Sequence, residues 1–145
     1  MECREIMKND VRCVGPEETV HDAARMMRDE AIGFLPVCAP NGRVLGTVTD
    51  RDLAIRVVAE DCDPSTPVGD VMTEEVVACK PEDSLQDVQA LMALNHKSRV
   101  MVIDAQQQLV GVISLSDIAQ QDGVGFASRT LRQVSEREVR GVPYP

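Results

Sequence analysis

The stretch "GTVTDRDLA", residues 46–54, decides the fold, because a second stretch, "GVISLSDIA" at 111–119, repeats its design 65 positions later. Each runs from apolar strand-like residues through a glycine to a hydroxyl residue, and an aspartate follows three positions on: Thr49 with Asp52, Ser114 with Asp117. That spacing is a capping box, which closes a helix N-terminus by reciprocal side-chain and backbone hydrogen bonds. The same residues also set a hydroxyl, a carboxylate and unpaired backbone N–H groups where a phosphorylated ligand could bind. Cap and ligand site are both open readings of the motif.

Working outward, a shift of 65 lays residues 6–54 over 71–119 without a gap, and ten of those 49 positions are identical. Apolar positions meet apolar positions through "RVLGTVT" and "QLVGVIS", Thr19 meets Ser84, and Thr49 meets Ser114. Internal duplication is therefore the first organising fact about this chain. Each copy opens with a short extended piece, "VRCV" or "VVAC", followed by Pro and an acidic pair. A capping box comes next, Thr19 with Asp22 and Ser84 with Asp87, heading a helix whose apolar stripe is Val20, Ala23, Ala24 and Met27 in the first copy and Leu85, Val88, Leu91 and Met92 in the second. Two strands follow. "FLPVC" and "RVLGTVT" are joined through Asn41-Gly42, a strong hairpin signal, and "RVMVID" and "QLVGVIS" through "AQQQ", a weaker one. The closing helices open at Thr49 and Ser114, so each copy is β-α-β-β-α.

The expected organisation is a first repeat over 1–60, a linker over 61–70, a second repeat over 71–122 and a partly helical tail over 123–145. The linker "EDCDPSTPVGD" is rich in turn formers, and Thr66-Pro67 is suited to start a short helix. In the tail, Leu131, Val134 and Val139 mark a weak apolar stripe within a local charge balance of +2.

Composition excludes several function classes. A net charge of −9 and only three aromatic residues, Phe34, Phe126 and Tyr144, argue against nucleic acid, which calls for clustered cations and stacking platforms. The five cysteines, Cys3, Cys13, Cys38, Cys62 and Cys79, contain no CxxC pair, and only His21 and His96 could assist them, so no zinc-ligand spacing appears and no metal site is expected. No signal-peptide pattern and no apolar run of membrane-spanning length occurs, which makes the cytoplasm the expected compartment and a membrane role unexpected. There is no Walker-type loop and no arguable Ser-His-Asp or Cys-His set, so binding without catalysis is the expected mode.

Two tandem β-α-β-β-α units closing in "GTVTDRD" and "GVISLSD", with "IM" and "VM" at the repeat starts, a Pro-acid-acid-Thr/Ser helix entry and "FLPV" before the hairpin, resemble a cystathionine β-synthase (CBS) domain pair over residues 5–120. The resemblance implies a mixed α+β fold, a pseudo-twofold CBS pair (Bateman module), which commonly assembles into a homodimer. It implies adenosine nucleotides, AMP, ADP or ATP, as ligands in clefts between the repeats, with no cofactor required. By the same resemblance Asp52 and Asp117 would hold ribose hydroxyls, and Thr49 and Ser114 would meet phosphate or ribose. Gly33, Phe34 and Pro36 in one copy, and Ser98, Arg99 and Met101 in the other, would enclose the base or reach the phosphates. Arg12 and Val77 would line the base pocket, and Arg51 and Ser116 would stand in the first turn of the closing helices. Arg51 and Arg99 are the first cations for a charged ligand, followed by Lys97, His96 and Lys80.

The copies differ where a ligand would notice. Asp50-Arg51 faces Leu115-Ser116 in the overlay, Gly33-Phe34 faces Ser98-Arg99, and Pro36 faces Met101. Two unequal sites are the expectation. The function read from all this is a nucleotide-sensing regulatory module acting on a protein partner. The alternatives are a constitutive dimeric scaffold with unoccupied clefts, and a sensor of another adenosyl ligand such as S-adenosylmethionine or NAD.

Overall fold

The computed structural model describes residues 1–121 and 129–135. The chain divides into two compact units, one formed by Arg12–Val76 and the other by Met1–Val11 together with the chain from Val77 onward.

In the Arg12–Val76 unit, helix α1 (Val20–Glu30) is capped by Thr19, whose Oγ1 accepts from Asp22 N at 3.1 Å. Its C-terminus closes on Ala31 in the left-handed region (φ 55°), whose N–H reaches back to Met27 and Arg28. Strands β1 (Phe34–Cys38) and β2 (Val44–Thr49) pair antiparallel, with a bulge at Cys38. Helix α2 (Asp50–Leu53) starts directly from β2 and widens into a π-helical turn over Ala54–Val58. Leu35, Val37 and Val48 from the strands pack with Val20, Ala23 and Met27 from α1, which makes the stripe read from the sequence one wall of this core. Ala24 of that stripe is exposed instead, since it falls on the outer edge of the helical face.

The other unit repeats the plan. Helix α3 (Leu85–Asn95) is capped by Ser84, and strands β4 (Arg99–Ile103) and β5 (Leu109–Ser114) form the hairpin. Helix α4 (Leu115–Gln121) follows, and residues 129–135 are helical. The turn judged weak from "AQQQ" is secured by the residue before it: Asp104 Oδ1 accepts from both Gln106 N and Gln108 N at 2.9 Å.

The first strand expected in each copy forms fully in only one. Strand β3 (Ala78–Cys79) runs parallel to β4, whereas "VRCV" contributes a single parallel bridge, Val14 to Val37. Proline is the cause. Met101 N donates to Val77 O at 3.2 Å, but its counterpart Pro36 has no N–H to give Arg12.

A short segment beyond the two strands and two helices completes each unit, following them in the first and preceding them in the second, and the two segments are themselves copies of one another. Thr73 bridges antiparallel to Thr47, and Lys8 to Val112, both pairs related by the 65-residue shift. Likewise Pro67 bridges to Thr19, and Glu2 to Ser84. The 3-10 turns Cys3–Glu5 and Val68–Asp70 lie just beyond these bridges, the second at the site marked by Thr66-Pro67. Residues 66–76 therefore complete the first unit and residues 1–11 the second.

Candidate functional site

The motifs at 46–54 and 111–119 both close as capping boxes. Thr49 Oγ1 accepts from Asp52 N at 3.1 Å, and Asp52 Oδ2 accepts from Thr49 N at 2.8 Å. The second copy gives the same arrangement at 3.1 and 3.0 Å for Ser114 and Asp117. The reciprocal bonds arise because β2 and β5 run straight into a helix, leaving backbone N–H groups at the junction that only side chains can satisfy.

Around this shared core the two junctions part. Asp52 is 1% exposed. Its Oδ1 lies 3.5 Å from the Thr73 hydroxyl and 3.9 Å from Arg56 Nη1. Arg56 in turn donates to the carbonyls of Val71 and Met72, at 3.0 and 3.2 Å, and to Thr73 Oγ1 at 3.3 Å. One guanidinium thus ties the α2 carboxylate to the segment 71–73. In the other unit Asp117 keeps 14% of its side chain exposed, with Oδ1 3.9 Å from Lys8 Nζ, and Lys8 is 75% exposed. The arginine has no counterpart there, since position 121 is Gln. Thr73 and Lys8 are repeat equivalents, so the same position supplies a hydroxyl to one carboxylate and a solvated ammonium to the other.

Gly33 O accepts from Asp50 N at 3.0 Å, and a Cβ on Gly33 would come within 2.6 Å of Asp50 Oδ2, so the missing side chain makes room for that carboxylate. Phe34 pairs with Thr49 across the hairpin, and Arg51 is exposed in the first turn of α2, its N–H donating to Asp50 Oδ1 at 2.9 Å. Gly33, Phe34, Thr49, Arg51 and Asp52 are therefore gathered at one junction. Pro36 is buried two pairs deeper, opposite Thr47. Arg12 is exposed and turns toward Glu30 Oε1 at 3.7 Å.

In the second copy Ser98 O accepts from Leu115 N at 2.8 Å, Arg99 pairs with Ser114, and Ser116 is exposed in the first turn of α4. Met101 is buried against Val112 and bonded to Val77, which packs on this unit's core. Of the secondary cations, His96 is engaged elsewhere. It ends α3 in a left-handed conformation (φ 53°) and its Nδ1 lies 2.9 Å from Gln133 O of the helical segment 129–135.

Gly46 and Gly111 permit close approach of another group, and that group is the protein's own chain. A Cβ on Gly46 would collide with the Thr73 carbonyl, and one on Gly111 would come within 2.7 Å of Met7 Sδ and 2.9 Å of Lys8 O. Lys8, Thr73 and Arg56 were not singled out from the sequence. For Lys8 and Thr73 the signal was their 65-residue equivalence beside a motif that needs a third partner. Nothing local marked Arg56.

The thiols complete the chemistry. Burial, aided by Cys13, pushes Cys38 up to about 12. Among the described residues no group of three or more His, Cys, Asp or Glu is placed to hold a metal ion, and no helix is long and apolar enough to cross a membrane. Among the described tail residues Val134 packs on the second unit's core while Leu131 is 55% exposed; Val139 lies outside the described residues.

Comparison with known proteins places this geometry. The model of the CBS domain family matches twice, over residues 3–59 and 68–122. The CBS domain-containing protein YhcV of Bacillus subtilis is 38% identical over 116 residues, covering 80% of this chain and 81% of that one. Hypoxic response protein 1 of Mycobacterium tuberculosis is 37% identical over 117 residues, with 80% and 81% covered. A crystal structure of Hypoxic Response Protein I, with two coordinated zinc ions, superposes with a TM-score of 0.78 at 35% identity, over 85% of this chain and 100% of the other. Solved neighbours with adenosine ligands include the cytosolic domain of the Mg2+ channel MgtE with ATP, at 26% identity and TM-score 0.73, over 83% of this chain and 48% of that one. CBSX2 with AMP, at 22% identity and TM-score 0.73, and a CBS domain pair with 5'-methylthioadenosine and S-adenosylmethionine, at 21% and 0.74, share the fold.

Proposed function

The chain belongs to the CBS domain family, both of its repeats being matched, and from that premise we propose that it is a regulatory module that binds an adenosine compound and performs no chemistry of its own. The observation that carries this reading is the junction built twice, with an acceptor carboxylate and a hydroxyl at the end of β2 and again at the end of β5. A carboxylate can accept both protons of a ribose cis-diol, and a hydroxyl whose oxygen accepts from the helix can still donate its own hydrogen to a phosphate. Cap and ligand contact are in this way compatible uses of the same atoms. Arg51 and Arg99, exposed beside the two junctions, supply charge for the phosphates of AMP, ADP or ATP. Ligand-bound neighbours of the same fold support the adenosine class.

Regulation requires that the ligand bind one conformation better than another, since equal affinity shifts nothing. The protein acts in this reading as a cytoplasmic homodimer whose nucleotide occupancy alters a partner protein. Calorimetric titration with AMP, ADP, ATP, S-adenosylmethionine and NAD tests it. Saturable heat from at least one compound is expected, and silence across the set at millimolar ligand would discard it. A second reading, a constitutive dimeric scaffold, draws on Asp52, whose carboxylate is 1% exposed and already engaged by Thr49, Thr73 and Arg56. Partner capture that is indifferent to adenylates would favour the scaffold.

A further inference from the structure

We propose that Cys3 and Cys79 form a redox-active dithiol, a modification site whose oxidation to a disulfide staples segment 1–11 to strand β3 of the second unit. The two sulfurs lie 3.7 Å apart in hydrogen-bond contact, although 76 residues separate them in sequence. Both residues are buried, at 0% and 6% exposure.

Packing alone does not call for sulfur at these two places. Under the 65-residue shift Cys3 corresponds to Val68 and Cys79 to Val14, and both valines are 0% exposed in the core of their own unit. Valine therefore satisfies the same two positions once. The second copy instead carries a thiol at each, and the thiols touch. Hydrogen bonding between them also divides their acidity. The bond from Cys79 holds the Cys3 thiol below its ordinary range, and the same bond, with burial, pushes Cys79 up. Cys3 is thereby the more acidic thiol and the nucleophile of the pair, with Cys79 the resolving thiol.

Buried thiols react only when exposed by local opening, and the pair lies where little has to open. Segment 1–11 is held by a few backbone bonds, among them Cys3 N to Asp83 O at 2.8 Å, Arg4 N to Pro81 O at 2.9 Å and the reciprocal Lys8–Val112 pair. With hydrogen peroxide as oxidant the step balances. The Cys3 thiolate attacks one peroxide oxygen, the O–O bond breaks, and after protonation water leaves behind a sulfenic acid. Cys79 sulfur then attacks Cys3 sulfur, the S–S bond forms, and a second water departs with the thiol proton. Two thiols are oxidised and one peroxide is reduced. The segment so stapled carries Met7, which covers Gly111, and Lys8, which faces Asp117, so the bond would hold both in place.

The test is to treat the full chain with hydrogen peroxide and then digest it under non-reducing conditions, with thermal melting measured in parallel. Peptide mapping should give a Cys3–Cys79 crosslink lighter by two hydrogen atoms and a loss of two of the five free thiols. The melting midpoint should rise by several degrees and return on reduction. Cys3→Val and Cys79→Val, which copy the other unit, should each fold and lose both effects, while Cys13→Ser should keep them. Persistence of all five thiols, a crosslink confined to other cysteines, or a Cys3–Cys79 crosslink without a rise in melting midpoint would each overturn the proposal.

Discussion

A Cβ placed on Gly46 would collide with the carbonyl oxygen of Thr73, so the close antiparallel approach of segment 66–76 to β2 depends on that glycine. Thr47 and Thr73 exchange both backbone bonds beside it, at 2.9 and 2.8 Å, which leaves the carbonyl little freedom to retreat. Gly46→Ala should therefore cost about 2 kcal/mol or more, within the range seen for overpacking. Gly111→Ala should cost less, because its nearest obstacle is the flexible Met7 side chain, although Lys8 O follows closely. Urea unfolding of the two variants checks the order. Equal losses would show that the glycines are not there for this approach.

Arg56 is expected to be a structural residue. Replacing it by Leu removes the donors to Val71 O, Met72 O and Thr73 Oγ1 and leaves the Asp52 carboxylate buried without its nearby cation. A loss of about 3 kcal/mol is expected, since breaking one side of a buried pair leaves an uncompensated charge. Arg56→Lys should recover only part of it, because an ammonium cannot reproduce the planar fork. Denaturation midpoints for both variants decide the matter.

The two motif aspartates should respond differently to the same change. Asp52→Asn weakens a carboxylate buried beside Arg56 and should cost about 2 kcal/mol, whereas Asp117→Asn, partly exposed beside a solvated Lys8, should cost under about 1 kcal/mol. If adenosine compounds bind at the second junction, Asp117→Asn should also weaken that binding about tenfold through loss of an acceptor to the ribose. Calorimetry alongside melting separates the effects. A variant that loses stability and keeps its full ligand affinity would mark that aspartate as a cap alone.

Alkaline pH should destabilise the first unit through Cys38. Its thiol stays neutral in the fold up to about 12, whereas the ordinary thiol value is 9.0. Below 9.0 both states hold the proton and the contribution is complete. Above it the unfolded chain releases its proton first, and stability falls until the pH reaches about 12. Cys38→Val should flatten that decline. Urea midpoints measured at about pH 8 and about pH 10.5 for the two proteins provide the comparison.

Much of the fold was legible because its signals are local. Thr19 with Asp22 and Ser84 with Asp87 cap α1 and α3 where the spacing placed them, and Asn41-Gly42 turns the first hairpin. Where the reading missed, the determinant lay on another strand. "VRCV" has strand character, but whether it forms a ladder depends on Pro36, which lacks the N–H that Met101 donates to Val77. At the candidate site, Thr49, Asp52, Ser114 and Asp117 were legible for the same local reason. Arg56 was not, because its role rests on carbonyls at positions 71 and 72 that no helical pattern links to it.

By itself, then, the sequence determined the duplication, the α-β-β-α order common to both copies and the N-caps at Thr19, Thr49, Ser84 and Ser114, all of which follow from spacings of a few residues or from one constant shift. Only the tertiary structure decided which segment completes which repeat, and hence what each motif carboxylate faces. The same repeat position brings Thr73 to Asp52 and Lys8 to Asp117. Burial with Arg56 closes the first carboxylate inward, and a solvated lysine leaves the second partly open. That inequality between two copies of one motif arises from long-range pairing, whose free energy depends on burial and charge environment rather than on the motif's own residues.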